Sequence, residues 1–255
     1  TLIRHWIRVL QIAIALLTVL PTGLRDPIRT TDVAQAVRFF PLVGLGLGGI
    51  LWGIQTLLHP WLSRELLAWI LVSALLGLTG MLHFDGFLDC CDALWTRDPQ
   101  RRLEILKDSR VGSFAVGGAW ILLMGKWLAL THLPPSLLPP ALLSGSLVGR
   151  WGLVLAVAWF PYGREEGLGV AYKAGCNRWL VTWVSLGVVG VLVGIGGWLG
   201  LAMGLAAAGV TGVVGSWISK RLPQGLTGDC YGLLVEVLEV LSWLGFSLTG
   251  GSPSD

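Results

Sequence analysis

Three carboxylates stand at 85, 89 and 92 in the run Leu78-Thr-Gly-Met-Leu-His83-Phe-Asp85-Gly-Phe-Leu-Asp89-Cys-Cys-Asp92. The spacing i, i+4, i+7 puts them within about 60° on one helix face. Carboxylates held so close repel one another unless a cation neutralises them. Hard oxygen donors in a row suit Mg²⁺ or Mn²⁺. The plainer alternative is a solvated helix end paired with Arg97, Arg101 or Arg102. His83 heads the same run, where it would act as a base or as a hydrogen-bond support for a carboxylate.

Three further stretches carry polar groups. Lys107-Asp108-Ser109-Arg110-Val-Gly112-Ser113-Phe114 sets a carboxylate between two cations, ahead of a Gly-Ser turn. Cations and free N–H groups at a helix start suit phosphate, although Lys107 and Arg110 beside a membrane also serve simply to set topology. Gly225-Leu-Thr227-Gly228-Asp229-Cys-Tyr-Gly232 offers a tight turn and a carboxylate, Asp229, that is either a ligand or a helix cap. Arg150 and Pro161-Tyr162-Gly163-Arg164-Glu165-Glu166-Gly167 add phosphate contacts or a solvated loop. The residues point to an enzyme that uses a divalent cation and basic groups on a phosphorylated substrate. Such chemistry needs charge neutralisation and positioning more than covalent catalysis.

The elements that must position these groups follow from composition. Of 255 residues, 54% are hydrophobic and 13% charged; there are 14 Trp but three Tyr, and the net charge is +3. The mean hydropathy is +0.72. So few charges cannot dress a water-soluble globule. Disorder and nucleic-acid binding are excluded on the same numbers. The four Cys show no metal or disulfide spacing, and no P-loop, dinucleotide fingerprint or nucleophile elbow is present.

Seven apolar runs approach the roughly 20 residues a bilayer requires: Phe39–Leu58, Leu66–Leu82, Val111–Leu130, Leu137–Phe160, Trp179–Leu199, Leu201–Ile218 and Tyr231–Leu248. They are too evenly apolar for barrel strands, so they are helices. Ile7–Leu20 is shorter, and Arg4, Arg8 and Gln11 mark a polar stripe on it. It reads as an amphipathic helix in the interface or against the bundle; a signal peptide is the weaker reading, for want of an A-x-A cleavage pattern. Small-residue pairs such as Gly44/Gly48, Gly49/Gly53, Gly190/Gly194 and Gly196/Gly200/Gly204 are read as packing. The expected fold is an all-α polytopic membrane protein, one domain over residues 1–255, with about seven transmembrane helices and an interfacial N-terminal helix.

Charge-rich connections (22–38, 83–110, 161–178, 219–230) alternate with nearly bare ones. The positive-inside rule makes the charged set cytoplasmic, and with it the active-site face. Eleven of the 33 charged side chains lie between Asp85 and Arg110.

The two central motifs, Leu78 to Asp92 and Leu106-Lys107-Asp108-Ser109-Arg110-Val-Gly112-Ser113-Phe, resemble those of the cobalamin (5′-phosphate) synthases, also called adenosylcobinamide-GDP ribazoletransferases. Phe39-Phe-Pro41-Leu-Val-Gly44, Gly149-Arg150, the loop from Pro161 to Gly169, and Leu226 to Gly232 are similar as well, in the same order along nearly the whole chain. Departures are Cys90-Cys91 for small residues, Gly112-Ser113-Phe114-Ala115 for Gly-Thr-Phe-Gly, and Gln224-Gly225 for Gly-Gly.

The resemblance implies that adenosylcobinamide-GDP and α-ribazole 5′-phosphate (or α-ribazole) give adenosylcobalamin 5′-phosphate (or adenosylcobalamin) and GMP, with Mg²⁺. It implies roles too. Asp85, Asp89 and Asp92 would bind Mg²⁺ against the diphosphate, with Asp108 or Asp229 completing the shell or orienting the hydroxyl. Lys107 and Arg110 would neutralise GMP; Arg150, Arg164 and Thr227 would contact phosphate. Asp85, Asp89, His83 and Asp108 would be the catalytic set. A bacterial cytoplasmic (inner) membrane setting, in lipid and without nucleic acid, follows; homo-oligomer formation is left open. The rival readings are another membrane phosphotransferase or prenyltransferase, and a transporter. Leu82 stands where a CDP-alcohol phosphotransferase would carry an Asp, and sparse mid-span charge disfavours transport.

Overall fold

The computed structural model describes residues 2–108, 110–222 and 224–250, and those residues form helices with no strand beyond one isolated bridge. In chain order the helices are α1 (Leu2–Leu17), α2 (Thr30–Ala36), α3 (Phe40–Leu58), α4 (Arg64–Leu78), α5 (Leu82–Leu94), α6 (Pro99–Ile105), α7 (Ser113–His132), α8 (Leu138–Trp159), α9 (Leu168–Gly175), α10 (Arg178–Arg221) and α11 (Gly228–Gly250). Among the described residues, five helical stretches are long and apolar enough to cross a membrane: Thr30–Leu58, Ser113–His132, Leu138–Trp159, Arg178–Arg221 and Gly228–Thr249.

The longest of these is not one rod. At Gly197 (φ 57°, ψ −132°) the helical path breaks. Beyond the break Gly200 and Gly204 lie against Leu192. Residues eight to twelve apart in a straight helix are roughly 12–18 Å apart, so α10 folds back as a hairpin with arms 178–196 and 198–221.

One expected span takes a different course. The run Leu66–Leu82 ends as helix α4 at Leu78, and α5 continues at 92° to it. Gly80 and Met81 both adopt left-handed backbone there (φ 57° and 58°). The acidic helix therefore does not prolong a span. It turns across the end of the bundle, against the first residues of α7 and α11.

Helix α1 is the amphipathic element expected. It buries Val9, Ile12, Ala13 and Leu17 against α2 and α3 and leaves Leu2, Ile3 and Ile7 exposed. The chain beyond it is tied to α4, Val19 N–H donating to the Leu78 carbonyl at 2.9 Å.

Helix α8 is the axis of the bundle, and most of its residues are buried. Gly44 and Gly48 of α3 seat on its backbone; a Cβ at 48 would stand 2.6 Å from the Leu142 carbonyl oxygen. Close packing holds for that pair and for Gly200/Gly204. Gly49, Gly53, Gly190 and Gly194 face open space, so the packing reading fails for them. Between α7, α8 and α11 lies a buried ion network. Lys126 Nζ is 2.5 Å from Glu236 and 2.5 Å from Glu239, and Arg150 pairs with Glu239. Two cations balance two anions, as burial in a low-dielectric interior requires.

The charged connections meet at one end. Helix α2 packs on α9, Arg102 donates to the Arg221 carbonyl at 3.0 Å, and Arg164 reaches Leu106 and Asp229. The bare connections meet at the other end, where His59, Arg64, Leu133 and Pro135 surround one crevice.

Candidate active site

The site is built by two loops that zip together. Leu226 N–H donates to the Pro161 carbonyl at 2.9 Å and Gly163 N–H to the Leu226 carbonyl at 2.8 Å, forming the bridge of Tyr162 with Leu226. The backbones approach so closely that a Cβ at 163 would stand 2.6 Å from the Gly225 oxygen. This pairing delivers Arg164 to the start of α11. Its Nη2 donates to Asp229 Oδ2 at 2.9 Å, and the Thr227 hydroxyl donates to the same oxygen at 3.1 Å. The helix begins at Gly228, so Asp229 sits inside its first turn rather than at the cap.

Helix α5 lies across this point. A Cβ at Gly86 would stand 2.8 Å from Asp229 Cα, and one at Gly232 would stand 2.7 Å from the His83 oxygen. Only glycine at both positions lets α5 bring Asp85 and Asp89 beside Asp229. Asp85 and Asp89 accept no hydrogen bond and form no ion pair among the described residues. Partial burial, then the carboxylates of Asp85, Asp229 and Asp92, push the Asp89 carboxyl up to about 6, against a smaller opposing effect of Arg164.

Asp92 turns elsewhere. Its two oxygens accept the N–H groups of Gly112 at 2.6 Å and Ala115 at 2.9 Å. It caps α7, satisfying donors that a helix start leaves free. Of the three carboxylates on the stripe, the third is thus engaged by the start of α7, while Asp85 and Asp89 are not. The plainer alternative, ion pairs to Arg97, Arg101 or Arg102, does not form among the described residues; Arg102 donates to the carbonyls of Thr96, Arg97 and Arg221.

The remaining expected residues divide. Arg150, read from sequence as a phosphate contact, is 1% exposed inside the bundle and paired with Glu239. The guanidinium balances a buried carboxylate and does not reach a phosphate site. Asp108 and Arg110 hold each other at 2.6 Å on the surface, which keeps the Asp108 carboxyl below its usual range. Lys107 is exposed beside them. Ser109 lies outside the described residues. His83 is buried and its Nε2 has no hydrogen-bond partner among the described residues, so no bond to a carboxylate is seen through that atom.

A cavity of about 290 Å³ opens here, lined among others by His83, Asp85, Arg164, Glu166 and Asp229. All three tyrosines of the chain, Tyr162, Tyr172 and Tyr231, line it as well. Sequence reasoning passed over them, although three Tyr against 14 Trp was a signal. Several Trp residues lie elsewhere: Trp52, Trp69, Trp120, Trp183 and Trp198 are exposed on the outer faces of helices, as expected of aromatic residues near lipid.

Among the described residues, no three acidic, His or Cys side chains converge closely enough to hold a metal alone. The donor set still fits Mg²⁺. That ion is usually held by one or two carboxylates with the phosphates of its substrate supplying the rest, and Asp85 and Asp89 are carboxylates without partners beside an arginine-held third. The arrangement can hold a diphosphate between cation and guanidinium at the mouth of a cavity.

The model of the cobalamin-5-phosphate synthase family matches residues 9–247. An adenosylcobinamide-GDP ribazoletransferase of Desulfitobacterium hafniense is 35% identical over 93% of this chain and 96% of its own length. Proteins of the same name from Thermosynechococcus vestitus (37%, covering 94% and 96%) and Alkalilimnicola ehrlichii (40%, covering 94% and 95%) are similar. No solved structure matches the chain. The central motifs, their order and a match over nearly the whole length agree: the chain belongs to the cobalamin-5-phosphate synthase family.

Proposed function

We propose that the protein joins adenosylcobinamide-GDP to α-ribazole 5′-phosphate, or α-ribazole, releasing GMP, in a Mg²⁺-dependent reaction at the cytoplasmic face of a bacterial inner membrane. The observation that carries the reading is the meeting of unpartnered Asp85 with the Arg164–Asp229 pair at the cavity mouth, with the Asp89 carboxylate close enough to feel Asp85 and Asp229, in a chain of this family. A ribose hydroxyl oxygen forms a bond to the cobinamide-side phosphorus. The bond from that phosphorus to the bridging oxygen breaks, and GMP leaves with that oxygen and its electron pair. The hydroxyl proton passes to a carboxylate at the mouth, Asp85 or Asp229, and on to water.

Asp85 and Asp89, with Asp229 behind them, would hold Mg²⁺. Bound there, the ion would offset the charge of the diphosphate and of the departing phosphate. Arg164 orients Asp229 and faces the same phosphates; Thr227 fixes the Asp229 rotamer. Lys107 and Arg110, exposed on the adjoining loop, attract the anionic substrates. In this reading α10 contributes two spans, which with α3, α4, α7, α8 and α11 makes seven, and α1 lies at the interface. Single cysteines at 101 and at 62 should label from opposite sides of the membrane.

The deciding experiment incubates purified protein with both substrates and follows GMP, with Mg²⁺ and with EDTA. GMP formation only with Mg²⁺ supports the reading. Turnover of a CDP-alcohol or prenyl diphosphate instead, or flux in proteoliposomes without bond cleavage, would replace it.

A further inference from the structure

The cavity has two zones. Its exposed side carries Asp85, Arg164 and Glu166, with Asp229 half-buried beside them. Its buried wall is apolar and aromatic: Leu17, Leu153, Tyr172, Tyr231 and His83, with Tyr162 stacked on Tyr231 at 6.2 Å between ring centres. Within that wall His83 Nε2 and Tyr231 Oη are buried and have no hydrogen-bond partner among the described residues. Leaving such atoms unpaired costs roughly 1–3 kcal/mol each. A ligand that pairs with them recovers that cost, whereas the fold alone gives no reason to keep them.

Size and chemistry select the ligand. The whole cavity, both zones together, has a volume of about 290 Å³, at the low end for a small-molecule site. It admits a bicyclic base with part of a ribose and excludes a corrinoid. Leucine and tyrosine walls suit a flat apolar ring. The buried wall has no carboxylate to accept from the donor edge of guanine. Its two unpaired groups suit a ring with an acceptor nitrogen and no donor of its own. Dimethylbenzimidazole as it stands in α-ribazole, with one ring nitrogen bonded to the ribose, has that pattern.

We propose that the buried zone binds the aromatic base of the incoming ribonucleoside, with Tyr231 and His83 as the residues that select it. The ribose would then extend toward Asp85 and Asp229, where its hydroxyl meets the diphosphate. This rests on the reaction proposed above and names the place of one of its two substrates.

The test measures KM for each substrate separately, on the full chain in nanodiscs. Tyr231→Phe removes one oxygen and should raise KM for α-ribazole 5′-phosphate about fivefold, the value of one hydrogen bond. KM for adenosylcobinamide-GDP should stay within twofold. Leu153→Trp, which fills the zone, should raise the first KM at least tenfold with the same split. 1,5,6-Trimethylbenzimidazole, which like the base in the nucleoside has no ring N–H, should inhibit the wild type competitively against α-ribazole 5′-phosphate. Both KM values moving together, or inhibition competitive against adenosylcobinamide-GDP, would overturn the assignment. If Leu153→Trp does not fold, Tyr231→Phe and the inhibition pattern decide. Absence of any GMP release from the wild type would instead count against the reaction itself.

Discussion

Arg164 Nη2 and Asp229 Oδ2 meet at 2.9 Å across 65 residues of sequence, joining the loop after α8 to the first turn of α11. The pair is partly exposed, so its worth to stability is small. Its worth lies in aiming a carboxylate and a cation at the same cavity. Arg164→Gln should leave the melting temperature within a few degrees and lower kcat about a hundredfold, in the range seen when one charge-stabilising donor is removed. GMP release beside a thermal melt checks both.

Asp85 and Asp92 sit on one helix yet should respond oppositely. Asp92 caps α7 through Gly112 and Ala115. Asp92→Ala should cost about 1 kcal/mol of stability and leave the Mg²⁺ dependence of the remaining activity unchanged. Asp85→Asn should keep the fold and demand at least tenfold more Mg²⁺. Titrating Mg²⁺ against rate for both variants distinguishes a ligand from a cap; near-wild-type GMP release by Asp85→Asn at low Mg²⁺ removes the metal role.

Asp89 makes stability depend on pH. Its carboxyl titrates at about 6 in the fold, against 3.8 unperturbed. The fold therefore holds the proton more tightly than the unfolded chain, and stability falls as pH rises from about 4 through 6. Asp89→Asn should match the wild type near pH 4 and exceed it above pH 6, by under about 1 kcal/mol once solvent screening is allowed for. Mg²⁺ should close that gap by stabilising the wild type alone. Melting curves between pH 4 and 8, with and without Mg²⁺, read this directly.

The buried network should be intolerant of single changes. Lys126→Met leaves Glu236 and Glu239 with Arg150 as their remaining cation. Breaking a buried pair in this way costs about 3–5 kcal/mol, so the yield of folded protein should collapse. Lys126→Met combined with Glu236→Gln restores charge balance and should recover much of it, read by size-exclusion chromatography in detergent.

The amino-acid sequence by itself determined the helical, apolar class and the gathering of the few charges into a small set of connections. Apolar runs near bilayer length allow only helices in lipid, and the scarcity of charge marks where the remaining charges gather. The break of α10 at Gly197 was legible because a run twice the bilayer thickness must fold back. The bend at Gly80 and Met81 was not, because hydropathy continues smoothly from Leu66 to Leu82 while the backbone turns 92°.

Periodicity placed Asp85, Asp89 and Asp92 on one face, but a helical face has neighbours that spacing does not record. Contact with the start of α7 made Asp92 a cap, and Glu239, 89 residues away, claimed Arg150. The three tyrosines lie at 162, 172 and 231, and only the docking of α9 and α11 on α8 brings them around one cavity. Local spacing governs which groups share an element. Which of them stay free for chemistry is decided by partners distant in sequence, since a buried charge or helix end takes whatever counter-group the fold brings to it.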